Sequence, residues 1–423
     1  MFSSLTSRNY RLFFFGQMIS VSGNWIQTVA QSFLVLDLTH SGLALGLATG
    51  ARFGPMFLFG PWGGLLADRM DKRRVLYVTQ SVCALLGLTM SVLVATHTVN
   101  MPLVYAIAAG FGLTNVFDSP ARQSFISELV PRDQLANAVV LNSITVNSAR
   151  VFGAAIGGSV AAFLGLALCF ALDGVSFAAV LAGLAMMDGT AIRKAIPPEP
   201  ERGQIRAGLR YVRSTPLLLV PLIMIAVIGT LAWEFQVTLP LLASKTFHGG
   251  PGTYGAMTAS MGLGAVGGGL VIAFRAPTRA TALATSAMAW GAAIVATALA
   301  PNLITEYIVL LAVGYGSITF NSLAKSCLQL AADPSMRGRV MALWALAWMG
   351  STPIGGPIVG AVGEFFGARW SLLIGGIPTV LVGMAALRVL RAIDRSSAAA
   401  PAQEQTEERT EEQAGEQTEM LQG

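Results

Sequence analysis

Charge is scarce in this chain. Asp, Glu, Lys and Arg make up 12% of its 423 residues, about half the roughly 25% of a soluble domain. Cysteine is scarcer: Cys83, Cys169 and Cys327 fall in separate apolar runs, and their spacing fits neither a disulfide framework nor a metal site. The histidines, His40, His97 and His248, stand at the ends of apolar runs without a second ligand nearby. The chain has no H-E-x-x-H, no G-x-S-x-G and no phosphate loop, which removes the enzyme and nucleotide-driven chemistries that those motifs support. The expectation is a protein that is not an enzyme and takes no metal and no cofactor.

Apolar residues are abundant. Hydrophobic side chains are 54% of the chain and the mean hydropathy is +0.63. Runs of about 20 apolar residues, enough to cross a bilayer as a helix, recur along nearly the whole length. Breaking the chain at polar, Gly or Pro clusters predicts twelve spans, at about 11–36, 42–67, 75–97, 101–121, 135–163, 166–187, 217–243, 252–274, 280–300, 303–324, 339–364 and 368–390. The opening MFSSLTSRNYRLFFFGQMIS is basic and then apolar, but it lacks a small-residue cleavage site and runs into a full span, so it is expected to be retained. With the N-terminus inside, all but four of the 27 Lys and Arg residues fall on the cytoplasmic side. Lys245 and Arg369 fall outside, and Arg52 and Arg150 lie within spans. That asymmetry is the positive-inside pattern. The net charge of +5 therefore records topology, and nucleic acid drops out as a partner.

The expected organisation is an N-terminal six-helix bundle over 1–187, a cytoplasmic linker over 188–216, a C-terminal six-helix bundle over 217–390, and a disordered acidic tail over 391–423. In the linker, Ile205, Leu209 and Val212 share one helical face and Arg206, Arg210 and Arg213 another, the pattern of a helix at a membrane surface. The halves resemble each other at an offset of 203. Phe117-Asp118-Ser119-Pro120-Ala121-Arg122 aligns with Phe320-Asn321-Ser322-Leu323-Ala324-Lys325, Pro131 with Pro334, Gly153 with Gly356 and Gly157 with Gly360. A parallel six-span repeat is expected where two bundles enclose a central site and rock against each other.

Between spans 2 and 3 lies GGLLADRMDKRR, residues 63–74. It resembles the loop 2–3 signature of the major facilitator superfamily, G-x-x-x-D-R/K-x-G-R-R/K, departing where Asp71 replaces glycine and Lys72 replaces arginine. Residues 36–55 and 118–158 resemble the drug:proton antiporter branch that includes macrolide-efflux proteins and the enterobactin exporter. Gly153-Ala154-Ala155-Ile156-Gly157-Gly158 is similar to the antiporter motif G-P-x-x-G-G, with alanine in place of proline. The resemblance implies an all-α integral membrane protein with twelve transmembrane helices in two pseudo-symmetric bundles and both termini cytoplasmic. It further implies a monomer in a bacterial plasma membrane, exporting amphipathic small molecules by proton antiport; import, or another specific metabolite, is the alternative. It also implies a conformational gate at Gly64, Asp68, Arg69 and Arg73, with the Asp68 carboxylate latching onto the N-terminal end of span 11.

Polar residues inside spans are costly and mark candidate sites. Asn24, Gln27 and Gln31 form a stripe on span 1, and Ser143, Asn147 and Arg150 another on span 5. Both stripes either bond between helices or line a cavity. Arg52 lies about 15 Å from the outer end of span 2 at the usual helical rise, too deep to snorkel readily, which makes it a candidate for binding a substrate or carboxylate, with a structural pair as the alternative. Asn321, beside Arg52, Asn147 and Arg150, completes the candidate cavity set. Arg150 and Asp173 come out at similar depth, within reach of pairing. Glu234, flanked by Thr230 and Thr238 with no basic residue near in sequence, is the first candidate for proton coupling and Asp173 the second. Met224, Trp233, Phe320, Trp344 and Trp348 are available as apolar contacts for an amphipathic cargo.

Overall fold

The computed structural model describes residues 3–192, 204–274, 281–334 and 336–392. The Pro-rich part of the linker, 193–203, and the tail from 393 onward lie outside the described residues. No strand occurs among the described elements. The first six long helices are α1 (Arg8–Thr39), α2 (Gly42–Arg69), α3 (Lys72–Ala95), α4 (Met101–Leu129), α5 (Leu135–Leu164) and α6 (Leu166–Met186). After the linker come α7 (Gln204–Ser214), α8 (Pro216–Ala232), α9 (Phe235–Leu241), α10 (Pro251–Phe274), α11 (Thr281–Ala298), α12 (Leu303–Ala331), α13 (Arg337–Met349) and α14 (Thr352–Phe365). The last is α15 (Ala368–Ala392).

Among the described residues, ten helical segments are long and apolar enough to cross a membrane. Two of the twelve expected spans fall outside that set, for different reasons. Helix α1 has 32 residues, ample length, but Arg8, Arg11, Asn24, Gln27, Gln31 and Asp37 dilute its apolar character. The span expected over 339–364 is broken at Gly350–Ser351 into α13 and α14, of 13 and 14 residues. Pro353, in the first turn of α14, has no N–H to give the Met349 carbonyl at the end of α13, and its ring crowds that carbonyl. Gly350 meanwhile lies against the Phe57 ring of α2 with no room for a side chain. A second break falls at Trp233–Glu234, where Glu234 has left helical geometry at φ −82, ψ 40. Thr230 and Thr238 therefore do not share one continuous helix with it.

The ends of the helices follow from local chemistry. Asn100 and Asn302 open α4 and α12 alike, each side chain accepting the N–H three residues on, at 3.1 and 3.0 Å. Such a cap satisfies an orphan donor and is worth about 1 kcal/mol. His40, His97 and His248 all take left-handed conformations at turns, with φ of 53, 56 and 50. Histidine tolerates that region better than most residues, and this turn role accounts for all three.

Helices α1 to α6 pack on one another: α1 on α5 and α6, α2 on α4, and α3 on α4 and α6. Among the later helices α12 packs on α10 and α11, and α8 on α12, α13 and α14. Two seams join the sets, α2–α14 and α5–α10. Both are built from small residues. A side chain at Gly46 would run into the Gly356 carbonyl, one at Gly360 into Gly42, and one at Gly255 into Ala154 and Gly158. Apolar helices gain little by leaving lipid, so close backbone approach at small residues supplies the contact. Both seams use the start of α2 or α10 and the end of α14 or α5, so both lie at the end of the molecule away from the amino terminus. The Glu364 carboxylate at the end of α14 strengthens the first seam, accepting from the Leu43 N–H at 2.9 Å and from the Ser41 hydroxyl. Elsewhere large apolar side chains such as Phe163, Leu330 and Phe365 point outward, as lipid-facing surfaces do.

Helix α7 rests on α13, with Gly208 against Arg339 and the Tyr211 hydroxyl donating to Asp333 at 3.0 Å. Val212 is buried and Leu209, Arg210 and Arg213 are exposed. The apolar face expected to lie in lipid is thus partly spent on the protein.

Candidate functional site

At the end opposite the seams the helix sets part around a cavity of about 580 Å³. Its wall runs from Arg52 and Phe111 at mid-depth to Gln17, Arg122 and Leu135 towards the amino end. Helices α1, α2, α4 and α5 supply most of it, and Lys325 of α12 contributes from the other set.

Arg52 is the deepest cation on this wall. Its Nη1 donates to Gln27 Oε1 at 3.0 Å and Gln31 Oε1 at 3.5 Å, and its Nη2 to Asn24 Oδ1 at 3.1 Å. Residues 24, 27 and 31 recur at helical spacing on α1 and so converge on one point of α2. The guanidinium also lies 5.4 Å from the centre of the Phe111 ring. Asn24 and Arg52 line the cavity, whereas Gln27 and Gln31 are buried behind the guanidinium and fix its direction. Asn147, Arg150 and Asn321 do not line it. Asn147 donates back to the Ser143 carbonyl of its own helix at 2.9 Å, and Asn321 has a buried oxygen with no hydrogen-bond partner among the described residues.

The Arg150–Asp173 pairing does not form. Arg150 lies 5.1 Å from the Trp25 ring and borders a separate small pocket of about 50 Å³ with Trp25, Trp233 and Tyr254. Asp173 is wholly buried in α6 against Gly87 of α3. Its oxygens have no hydrogen-bond partner among the described residues, and its longer-range interaction is with Arg52. Equal depth along two helices fixes height in the membrane but not rotation about each axis, and rotation separates these two groups.

Glu234 sits in the break between α8 and α9, 2% exposed. Gly355 and Gly356 of α14 pack directly against its carboxylate, and its Oε1 has no hydrogen-bond partner among the described residues. It lies next to the α2–α14 seam, not on the large cavity. Around it an aromatic cluster links Trp233 to Trp348 and Trp290 at 4.0 and 4.9 Å, and Trp344 to Trp348 at 6.0 Å. Phe320 and Met224, offered as cargo contacts, are fully buried.

The charged turn after α2 is tied to the first helix set. Asp71 caps α3 by accepting from the Arg74 N–H at 3.2 Å. Arg73 donates to the Leu184 and Met187 carbonyls at the end of α6, at 2.6 to 3.3 Å, where a cation also suits the helix dipole. Lys72 pairs with Glu128 at 2.8 Å, both buried. Arg69 is exposed, nothing among the described residues approaches the Gly64 Cα face, and the Asp68 side chain lies outside the described residues.

Several functional-looking residues were not singled out in the sequence. Asp118 accepts from Thr79 and Gln80 at 2.8 and 2.7 Å and pairs with Arg122 at 3.3 Å. Its repeat partner Lys325 lies 5.4 Å from the Trp344 ring. The alignment of 117–122 with 320–325 was the signal available for these. Glu306, in the first turn of α12, is completely buried with neither oxygen bonded among the described residues; its position near a span end gave no such signal.

Over residues 1–419 the chain matches the family described as transmembrane secretion effector. Among curated proteins it is 24% identical to the staphyloferrin A transporter of Staphylococcus aureus, over 88% of this chain and 94% of that protein. It is 26% identical to the enterobactin exporter EntS of Salmonella paratyphi A, over 93% and 94%. Among solved structures, a bacterial homologue of the human lysosomal transporter Spinster, inward-facing and unoccupied, superposes with a TM-score of 0.67 at 13% identity, over 92% and 98% of the two chains. That likeness is one of fold.

Proposed function

The chain belongs to the transmembrane secretion effector family of major facilitator transporters, and on that premise we propose that it exports small amphipathic molecules, siderophore-like in character, by proton antiport. The observation that carries this reading is the polar cavity of about 580 Å³, walled by one helix set, touched by the other, and sealed at its far end by two small-residue seams. A cavity closed at one end and open at the other is one of the two states that alternating access requires.

In this reading the chain crosses the bacterial plasma membrane twelve times as a monomer. Helix α1 is the first span and the α13–α14 pair the eleventh. Both termini are cytoplasmic, which agrees with the distribution of Lys and Arg. The cavity then faces the cytoplasm, and cargo enters past Arg122 and meets Arg52. The bundles are residues 1–187 and 217–390, joined by the linker 188–216. Gly64, Asp68, Arg69 and Arg73 form the cytoplasmic gate of the opposite state, in which α13 approaches the turn after α2.

Glu234 carries the proton. It lies in a helix break, against the α14 glycines that must separate from α2 when the far end opens. Protonation removes a buried charge whose placement differs between the two states, and that difference is what couples a proton to a conformational change. Asp173, buried behind Arg52, is the second carrier. The relatives whose names specify siderophores support the cargo class.

The test is accumulation of a labelled panel (a macrolide, a cationic dye and a siderophore) in cells with and without the protein, before and after collapse of the proton gradient. Lower accumulation that disappears on collapse is the expected result, with Glu234→Gln reduced to background. Higher accumulation would establish uptake instead. No difference for any compound would contradict the export reading.

A further inference from the structure

The charge on the cavity wall narrows the cargo class, an inference that rests on the reading of this cavity as the transport path. Among the described lining residues the charged groups are Arg52, Arg122, Lys325 and Asp118. Asp118 is committed to Arg122, Thr79 and Gln80. Arg122 is balanced by it and by Gln17 Oε1 at 3.1 Å. Arg52 and Lys325 are different. Among the described residues, the hydrogen bonds of Arg52 go to neutral amide oxygens, so its fork is held in place without losing its charge. Lys325 rests on the face of Trp344, a contact that orients an ammonium and leaves it positive. Counting the buried Asp173 behind Arg52, the surroundings of the cavity remain positive. A concave wall of one sign between low-dielectric helices concentrates ions of the other.

We propose that the cavity selects organic polyanions, molecules carrying two or more carboxylate or equivalent paired-oxygen charges. Arg52 is the anchor contributed by the first helix set and Lys325 the contact contributed by the second. Three of the five guanidinium N–H donors are engaged by amides, which leaves donors for an oxyanion in the two-pronged geometry that arginine favours. An anion that touches both residues spans the two helix sets. Binding then bears on the arrangement that must change during transport. A cationic amphiphile meets the same wall as a repulsive one, so the broad drug specificity implied by the sequence resemblance narrows to anionic members of the panel.

The probes are citrate, its uncharged triethyl ester, and tetraethylammonium. Each is titrated calorimetrically against the full-length protein in phosphatidylcholine nanodiscs. Citrate is expected to bind, the ester about tenfold more weakly or worse, and the cation not at all. Arg52→Gln should weaken citrate by about tenfold and Lys325→Gln by about threefold, with the ester unchanged in both. Lys325 lies in no buried network, so its variant keeps the test open if Arg52→Gln fails to fold. Binding of the ester or the cation as tightly as citrate, absence of citrate binding, or wild-type citrate affinity in both variants would overturn the proposal. Loss of the citrate signal when phosphatidylglycerol is added to the discs would also overturn it, by giving the site to a lipid headgroup. Each of these results leaves the export measurement above standing, because that measurement does not depend on cargo charge.

Discussion

The matched hexapeptides at 117–122 in α4 and 320–325 in α12 have similar sequences and opposite electrostatics. In the first, the Asp118 carboxylate gathers Thr79, Gln80 and Arg122 into a corner in which it neutralises the cation. In the second, Asn321 stands where the carboxylate was, its oxygen buried without a partner among the described residues, and Lys325 turns to the Trp344 face. The backbone plan of the repeat survives, including the matching asparagine caps at the starts of α4 and α12. The charge plan does not. One half holds its cation neutralised and the other leaves it available, so the cavity between them is asymmetric. The turn after α2 shows the same divergence: Lys72 and Glu128 form a buried pair, and the repeat position of Glu128 is Ala331.

Changes that break this comparison are expected to cost most. Glu128→Gln leaves the Lys72 ammonium buried and unpaired, and should lower stability by about 3–5 kcal/mol. Thermal unfolding followed by tryptophan fluorescence would show it, with partial recovery in the Lys72→Met, Glu128→Gln double variant. Asp118→Asn makes the first hexapeptide resemble the second. Arg122 is partly exposed, so the loss should be smaller, about 2 kcal/mol, read from the same melting curve. Asn321→Asp sharpens the comparison from the other side by giving Lys325 a carboxylate four residues away. It should weaken citrate binding by about threefold to tenfold and lower the melting temperature modestly, because an exposed i, i+4 partner returns only about 0.3–0.5 kcal/mol against the cost of a charge at a position whose oxygen is buried.

The helical plan was legible in the sequence because apolar runs of spanning length admit few other structures. The stripe of Asn24, Gln27 and Gln31 and the depth of Arg52 were each legible, but that the three amides converge on this guanidinium came only from the packing of α1 on α2. The break at Gly350–Ser351 was hidden because Gly and Pro also occur inside intact membrane helices, and the neighbouring Phe57 ring, distant in sequence, adds the contact that fixes the break beside Pro353. Arg150 and Asp173 were placed together on depth alone and proved to be on different faces. Glu306 was overlooked since a carboxylate near a span end is ordinarily hydrated, and only the packing around α12 shows that this one is buried. Sequence gives height along a helix well. Rotation about its axis, which decides what lines a cavity, comes from packing with helices distant in the chain.

Alternating access through this cavity requires the α2–α14 seam to open during transport. A side chain at position 356 would place its Cβ 3.7 Å from that of Thr49, within the span a disulfide needs. The decisive measurement is export of the panel compound by Thr49→Cys, Gly356→Cys protein, with Cys83, Cys169 and Cys327 replaced by serine, before and after oxidation. Export that stops on cross-linking and returns on reduction is the result expected. Export that continues at the reduced-state rate while the cross-link is intact would contradict alternating access through this cavity.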